Sequence, residues 1–307
     1  MAEMNRTQNT HANLIDDVVA GATLPVADQD DWSIVISSRR SLLDLQLRSL
    51  WEYRDLIAVL VRRDFVAFYK QTVLGPLWYV IQPLSVTIVF TVVFNRIVNI
   101  QTDGLPPFLF FLSGVTLWNY LSSCISRTSD VFSSNAGIFG KVYFPRLTVP
   151  ISIVIGSSIT FGIQLAVTLC FVVFFILRGS AVHPSFWLAA IPLLALYVAA
   201  LALGIGILLS SLTTRFRDLS FLVGFGLQLW MYASPIVYPL SSVPQSLDWI
   251  VKLNPMTPVI EIFRKAILGS GTVRGDDVVL SLGITMAILF LGLILFSRTS
   301  RTSMDTV

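Results

Sequence analysis

Charged residues are scarce in this sequence of 307 residues: 13% are charged and 54% are hydrophobic, with a mean hydropathy of +0.75. A soluble domain usually carries about 25% charged residues. The composition therefore excludes an ordinary soluble domain and indicates a polytopic membrane protein. Cysteine is equally rare, with two residues. Cys124 and Cys170 fall in predicted spans, which indicates packing rather than a disulfide or a metal site.

The sequence also lacks a P-loop. Nothing matches G-x-x-x-x-G-K-[ST], since the Gly140-Lys141 pair has neither the first glycine nor a following Ser or Thr. The chain is therefore expected to hydrolyse no nucleotide by the usual phosphate-cradling route. If transport is active, its energy must come from another chain. We predict no catalytic residue, no metal site and no cofactor in this chain.

Ionisable residues are nearly absent from the middle of the predicted spans. Proton- or ion-coupled carriers and intramembrane enzymes place such groups inside spans, so their absence argues against both classes. Gln164 and Gln228 are the conspicuous polar side chains there. Gln228 could line a path or form a hydrogen bond between helices, and the sequence leaves both open.

A basic amphipathic helix opens the stretch from Tyr53 to Pro83. Apolar residues with helical spacing fall at Tyr53, Ile57, Leu60, Val61, Phe65, Phe68 and Tyr69, and basic residues at Arg54, Arg62, Arg63 and Lys70. Such a helix is typical of a membrane interface, although a soluble amphipathic helix packed on a core shows the same pattern. Because an uncharged segment follows from residue 77 to residue 93, we predict an interface helix within residues 39–75.

The long apolar runs predict six spans and an all-α fold. A span needs about 20 largely apolar residues. The runs cover residues 76–98, 107–126, 147–177, 186–211, 219–238 and 278–297. The predicted transmembrane domain is therefore 76–297. We expect a partly disordered cytoplasmic tail at 1–38, which lacks a signal peptide, and a second cytoplasmic tail at 298–307.

The basic residues are distributed asymmetrically between the two predicted sides. With the amino terminus inside, the inner segments hold 15 of the 21 Lys and Arg residues. The positive-inside rule then places both termini in the cytoplasm, which an even number of spans satisfies. The expected location is the cytoplasmic (inner) membrane, with multiple passes.

Two connections carry structure of their own in this interpretation. In the inner segment 128–141, Ser129 or Asp130 could cap a short helix and Gly137 or Gly140 could end it, so the segment could dock a partner. An ordinary inner loop fits the spacing equally well. The outer segment 239–277 is broken by prolines into amphipathic pieces, which predicts two short helices that enter the membrane part-way rather than a surface loop. Within it Glu261 and Lys265 are spaced to pair.

Four motifs resemble a known family. They are KQTVLGPLWYVIQPL (70–84), NAGIFGKVYFPR (135–146), SPIVYPLSSVP (234–244) and LNPMTPVIEIFRKAILG (253–269). In this order among six spans, they are similar to the transmembrane subunit of ABC-2 type polysaccharide exporters, the permeases for O-antigen, teichoic acid and related lipid-linked glycans. The resemblance covers about residues 39 to 297 and leaves the tail at 1–38 without a function.

The resemblance implies a homodimer that works with two copies of a separate ABC ATPase subunit, which would hold ATP and Mg²⁺. It also implies an interface helix, a coupling helix in the first inner loop and an outer re-entrant pair before the last span. The other partners expected are membrane lipids and a lipid-linked glycan, and no nucleic acid. The predicted docking residues are Asn135, Ala136, Gly137, Phe139, Lys141 and Val142.

The predicted substrate path needs walls that a hydrated, mostly uncharged polymer can slide along. Aromatic rings present flat faces to sugar rings, and a path on the two-fold axis of a homodimer would be lined by the same spans of each copy. Spans one and five are the expected walls. The candidate residues are Trp78, Tyr79, Phe221, Phe225, Trp230 and Tyr232.

Two other functions compete with glycan export at this stage. An ABC-2 exporter of a small hydrophobic drug belongs to the same superfamily and differs in cargo. An intramembrane glycosyltransferase or polymerase is a different class, and the lack of embedded acidic residues argues against it.

Overall fold

The computed structural model describes residues 47–71, 73–139, 144–214, 216 and 218–302, and all regular structure among them is helical. The predicted tail at 1–38 lies outside the described residues, as does the end of the predicted tail at 298–307. Twelve α-helices are described. They are α1 (Leu47–Glu52), α2 (Arg54–Gln71), α3 (Trp78–Phe90), α4 (Pro107–Ser129), α5 (Val131–Ser134), α6 (Ala136–Phe139), α7 (Thr148–Leu177), α8 (Ile191–Thr213), α9 (Leu219–Ala233), α10 (Asp248–Leu253), α11 (Thr257–Leu268) and α12 (Gly275–Thr302).

Five helical segments are long and apolar enough to cross a membrane. They cover Gly75–Ile97, Pro107–Ser129, Thr148–Leu177, Phe186–Thr213 and Gly275–Thr299. The first consists of a 3₁₀ turn, α3 and a π-helical turn over Thr91–Ile97, and the fourth begins with a 3₁₀ turn over Phe186–Ala190. Five of the six predicted spans therefore correspond to such a helix.

The predicted fifth span, 219–238, is shorter in the structure. Its helix α9 has 15 residues, about 22 Å at the usual rise, whereas the hydrocarbon core is about 30 Å thick. The helix ends because Ser234 is extended, with φ −98° and ψ 150°, and Pro235 follows. A residue before proline avoids the helical conformation. The count of six spans therefore remains a prediction.

Helix α4 is the centre of the fold. Most of its residues are buried, and it packs against α3, α7, α8, α9 and α11. Polar side chains on α4 satisfy one another across these contacts: Thr116 bonds to Thr168 at 3.0 Å, and Tyr120 to Ser158 at 2.7 Å, both on α7. In hydrocarbon such bonds stand in for the hydrophobic force that joins helices in water.

Helices α8 and α12 approach each other closely through glycine. A Cβ on Gly204 would lie 2.8 Å from the Leu289 Cα, and one on Gly292 would lie 2.5 Å from the Gly204 carbonyl oxygen. Small residues let helix backbones approach in this way. The Tyr197 hydroxyl adds polar contacts to Ser281 and Thr285 of α12, so the last span is fixed to α8 along its length.

The predicted outer segment, 239–277, contains the two short helices α10 and α11, and their entry into a membrane stays a prediction. Helix α11 is almost completely buried between α4, α8, α12 and the Phe186–Ala190 turn. Its Arg264 side chain is 2% exposed. The guanidinium donates to Glu261 at 3.3 Å and to the Ile236 carbonyl at 3.1 Å, and its Cζ lies 3.6 Å from the Phe110 ring centroid. One side chain thus joins α11 to α4 and to the chain that leaves α9.

The predicted pairing of Glu261 is corrected by this geometry. Glu261 pairs with Arg264, one residue before the expected Lys265, and its second oxygen accepts from the Thr272 backbone N–H at 2.9 Å. The Lys265 amine lies instead 5.7 Å from the Trp187 ring centroid. Arg264 and Lys265 lie three and four positions after Glu261, so helical spacing allows either pair. Arg264 is the partner because its charged side chain is buried, and a buried charge requires a partner.

The end of α11 requires a glycine. Gly269 has φ +81°, and a Cβ there would lie 2.3 Å from the His183 carbonyl oxygen. Two carbonyls at the end of the helix are also satisfied: the backbone N–H groups of His183 and Ser185 donate to the carbonyls of Leu268 and Ala266. Helix α11 is therefore held both at Arg264 and at its carboxyl end.

Helix α10 is held by exposed charges instead. The Lys252 amine lies 2.8 Å from Asp248, and Arg274 lies 4.0 Å from the same carboxylate. The bond from Lys252, with added attraction from Lys252 and Arg274, lowers the pKa of Asp248, so the carboxylate stays ionised at neutral pH. Contacts of this exposed kind contribute little to stability.

Helix α2 packs with its apolar face on protein. Leu60 is buried in a cluster with Val131, Phe144, Val149 and Ile153, which belong to the inner loop and the start of α7. The opposite face exposes Val59 and basic side chains. The amphipathic helix is present where predicted, and its placement at a membrane interface stays a prediction.

We predict that Arg264→Leu destabilises the protein by about 3–5 kcal/mol, because it leaves the Glu261 carboxylate buried without its charge partner. Thermal unfolding of the detergent-solubilised chain measures the effect. The double variant Glu261→Leu/Arg264→Leu should recover part of the loss, since neither charge is then unpaired. Lys265→Leu is the matched control, and an equal loss from it would contradict the assignment.

Candidate functional site

A chamber of about 840 Å³ lies between α2, α3, α4, α7 and α9. It is the candidate functional site because residues from five elements converge on it. Three regular stripes of side chains form most of its wall, and two charged residues lie at one edge.

The first stripe is polar and comes from α4. Asn119, Ser122, Ser123 and Ser126 line the chamber, spaced three, four and seven positions from the first. This spacing places all four on one face of a helix. The remaining faces of α4 are buried against other helices, so the polar face is the one that the chamber leaves open.

The second stripe comes from α7, where every fourth residue from 152 to 164 lines the chamber: Ser152, Gly156, Thr160 and Gln164. The third comes from α3 and combines Tyr79 and Gln82 with Val86 and Phe90. Together with α4 these stripes set uncharged hydroxyl and amide groups, which can both donate and accept hydrogen bonds, among the apolar side chains of the wall.

Aromatic rings support the wall. Trp118 and Tyr120 of α4 and Phe161 of α7 line the chamber, and the last two stack with ring centroids 4.9 Å apart. All three rings are 5% exposed or less, so they pack behind the wall and present little ring face to the chamber.

The charged edge of the chamber is formed by Asp64 of α2 and Arg127 at the end of α4. Asp64 accepts from Arg127 at 3.0 Å and from two nitrogens of Arg63 at 2.9 and 3.0 Å. These side chains are 28–46% exposed, so the ion pairs contribute about 1 kcal/mol or less to stability. Their effect is to cancel charge at the edge and to tie α2 to α4.

The six predicted path residues lie in different surroundings from one another. Tyr79 lines the chamber. Trp78 is exposed beside it, and α9 presents Phe221, Phe225 and Tyr232 on an exposed stripe. On the same helix Gly224, Leu227, Gln228 and Met231 line the chamber, so the stripe adjoins its open side. The role of all six residues in transport stays a prediction.

Trp230 has a packing contact that its sequence position did not reveal. Its indole N–H donates to Asn254 at 3.0 Å, and its ring meets Trp118 edge to face at 5.6 Å. Asn254 also donates to the Ser234 hydroxyl at 2.8 Å. Trp230 therefore supports the chamber from behind Trp118 and joins α9 to the outer helices.

The predicted docking segment forms two helices of one turn each, α5 and α6. Asn135 separates them and bonds to the Val131 carbonyl at 3.0 Å. Ala136 begins α6, and Gly137 lies inside it rather than at its end. Phe139 is half-buried against Phe132 and Phe144, and its part in docking stays a prediction. Lys141 and Val142 lie outside the described residues.

The polar stripes are the part of the site that the sequence analysis missed. Asn119, Ser122, Ser123 and Ser126 stand at helical spacing in an apolar span, which is a readable signal for a polar face. The predicted path residues were all aromatic and included no serine or threonine. Gln164 and Gln228, the two glutamines noted from the sequence, both line the chamber.

Residues 55–268 match the family model described as ABC-2 type transporter. The chain belongs to the ABC-2 type transporter family. The match extends from α2 to α11 and so contains the whole chamber and the docking segment. This match confirms the resemblance that the four sequence motifs indicated.

Several curated proteins are similar to this ABC-2 type chain. The O-antigen export system permease protein RfbA of Klebsiella pneumoniae is 30% identical over 218 residues, which are 70% of this chain and 82% of the relative. RfbA of Myxococcus xanthus is 27% identical over 222 residues, 71% and 82% of the two chains. The polysialic acid transport protein KpsM of Escherichia coli is 23% identical over 251 residues, 81% and 95%.

We predict that Gly156→Phe removes most transport by this ABC-2 type chain while its expression is retained. Gly156 lines the chamber, and a Cβ there meets no heavy atom within 4 Å, so a bulky ring can enter the space without forcing helices apart. Cargo transport in cells at matched protein level measures the effect.

Gly162→Phe is the matched control. Gly162 lies on the same helix, is exposed outside the chamber and has equally open surroundings. It should transport like the unchanged chain. Equal transport by both phenylalanine variants would show that the chamber is not on the path.

Proposed function

We propose that this chain is the transmembrane permease subunit of an ATP-driven exporter that moves a lipid-linked polysaccharide, of the O-antigen type, across the cytoplasmic membrane. The observation that carries the proposal is the chamber, whose wall sets hydroxyl and amide groups among apolar side chains, a mixture that fits the hydroxyls and the apolar faces of sugar units. The relatives named as O-antigen export permeases support the choice of cargo class.

The chemistry of the wall suits a polymer in motion. Sugar hydroxyls exchange hydrogen bonds with Asn119, Gln82 and the serines, while the half-buried ring of Tyr79 offers a face to the apolar side of a sugar ring. Each bond has a near-equivalent neighbour one helical turn away, so a polymer can advance without a deep energy minimum. A small hydrophobic drug would leave these polar groups without partners, which favours the glycan over the drug.

A homodimer would complete the path. The stripe of Phe221, Phe225 and Tyr232 on α9 is exposed and adjoins the open side of the chamber. A second copy around a two-fold axis would cover this side with the same elements and enclose the polymer between two chambers. In that arrangement Trp78 and the α9 stripe face the shared path, which retains their predicted role.

Energy would come from an ABC ATPase partner in two copies, which holds ATP and Mg²⁺. The docking segment, residues 128–141, is the proposed contact, since its described part consists of two short helices at the inner end of α4. Helix α2 packs on the same region and would lie in the membrane interface with its basic face among lipid headgroups.

The outer segment 239–277 would lie at the far mouth of the path. Helix α11 is buried in the fold and satisfies its backbone there, as non-spanning helices in a membrane must. Helix α10 and the 3₁₀ turns before it are more exposed and so are the part that could move aside for the polymer.

We predict that cells lacking this chain accumulate completed glycan on the inner side of the membrane and lose it from the surface. Expression of the chain together with its ATPase subunit should restore surface glycan, and the chain without the ATPase should not. Surface glycan is measured by immunostaining of intact cells. Restored export of a hydrophobic dye without restored glycan would contradict the proposal and favour the drug exporter.

The proposed topology has its own test. A cysteine at Ser242, in the outer segment, should react with an impermeant thiol reagent added to intact cells, whereas one at Ser133, in the docking segment, should not. Both positions are exposed in the structure, so burial does not limit the reaction. The reverse pattern would invert the topology and with it the docking proposal.

A further inference from the structure

Helix α9 is a chamber wall with few buried residues. Val223 is the one buried residue among its 15, and Phe221, Leu222, Phe225, Leu229 and Tyr232 are exposed. Of the other long walls, α4 has most of its residues buried, and α7 bonds to α4 through Ser158 and Thr168. Elements with few buried contacts are the ones that open at low free-energy cost.

The outer end of α9 is nevertheless fixed. Trp230 bonds to Asn254, and Ser234 accepts from the Asn254 amide and donates to the Trp230 carbonyl at 2.8 Å. The next residues, 234–237, are all buried, and the Ile236 carbonyl accepts from Arg264. A displacement of α9 must therefore be a pivot about this outer end, with the largest movement at its inner end.

At the inner end, the side-chain contact described for α9 is one hydrogen bond to the docking segment. The Ser220 hydroxyl donates to an Asp130 carboxylate oxygen at 2.9 Å. Asp130 stands between α4 and α5 at the N-cap position of α5, and its side chain makes no capping bond. The carboxylate that could cap the docking segment is directed to the first turn of α9 instead.

The neighbours of Asp130 are fixed independently of α9. Thr213 at the end of α8 donates to the Ser129 carbonyl at 2.8 Å, and Arg127 binds Asp64 of α2. The inner end of α4 is thus held from two sides. When α5 is displaced, the chain bends after this fixed end, at Asp130, and the bond to Ser220 carries the displacement to α9.

We propose that the Asp130–Ser220 hydrogen bond is the contact through which movement of the docking segment reaches the chamber wall. The proposal rests on the proposed function, because it assumes that a partner moves the docking segment. Asp130 is then a positioning residue: it touches no cargo and sets the position of α9. Gly224 and Gln228, one and two turns beyond Ser220, move with the helix and change the width of the chamber.

The test uses the complete transporter, this chain with its ATPase subunit, in membrane vesicles. Ser220→Ala removes the donor, and Asp130→Asn removes the charge but retains an acceptor oxygen. Ser211→Ala is the control, since the Ser211 hydroxyl bonds within its own helix, to the Ile207 carbonyl at 2.9 Å. ATP hydrolysis and glycan export are measured for each variant.

A readout independent of cargo reports on α9 itself. A cysteine replaces Gly224, where a Cβ meets no heavy atom within 4 Å, in a background with Cys124→Ala and Cys170→Ala. The rate of its reaction with a small cationic methanethiosulfonate is compared without nucleotide and with ATP and vanadate. The unchanged transporter should show a nucleotide-dependent rate.

Ser220→Ala should hydrolyse ATP, lose the nucleotide dependence of the reaction, and export about tenfold less, as expected for loss of one bond to a charged acceptor. Asp130→Asn should retain most of both readouts, and Ser211→Ala should resemble the unchanged chain. A purely structural role for the bond would instead lower assembly and ATP hydrolysis together.

Two results would overturn the proposal: a nucleotide-dependent reaction that persists in Ser220→Ala, or none in the unchanged transporter. Failure of the proposed function looks different. In that case the reaction at position 224 depends on nucleotide and on Ser220, while the vesicles export no glycan, and the Asp130–Ser220 contact stands for another cargo.

Discussion

The buried guanidinium of Arg264 is the interaction on which the packing of α11 depends. A charge at 2% exposure is costly, and it is retained because Glu261, the Ile236 carbonyl and the Phe110 ring surround it. These partners come from α11, from the chain after α9 and from α4. Gly114 makes the approach of Ile236 possible, since a Cβ there would lie 2.9 Å from the Ile236 Cγ2. The position of α11 follows from this one charge, and the fixed outer end of α9 follows from α11.

The sequence predicted the helices well because each apolar run reports a local property. Five runs became long apolar helices within a few residues of their predicted bounds, and both short inner and outer helices are present. The exception has a local cause that could have been read. Ser234-Pro235 stops α9, although the apolar composition continues beyond it. A hydropathy pattern reports how apolar a segment is. It does not show where a proline ends a helix.

The site was less predictable because it depends on which faces meet. The role of Trp230 in the path stays a prediction, and the bond of its indole N–H to Asn254, 24 positions away, could not be read from the sequence. Glu261 was matched to Lys265 by spacing, whereas burial selected Arg264. Both outcomes follow from tertiary contacts that no local pattern contains. The serine stripe on α4 was the opposite case: its spacing was visible, and only the expectation of charged or aromatic groups hid it.

Two pairs of glycines in this chain have opposite consequences for its evolution. Gly204 and Gly292 join α8 to α12 with no room for a methyl group, so drift at these positions breaks the frame. Gly156 and Gly224 border the chamber with empty space around them. There a single substitution to alanine, serine or valine would narrow the bore by a graded amount and leave the frame intact. A lineage that adopts a thinner or a more branched polymer can therefore adjust calibre one residue at a time, without an interval in which the protein fails to fold.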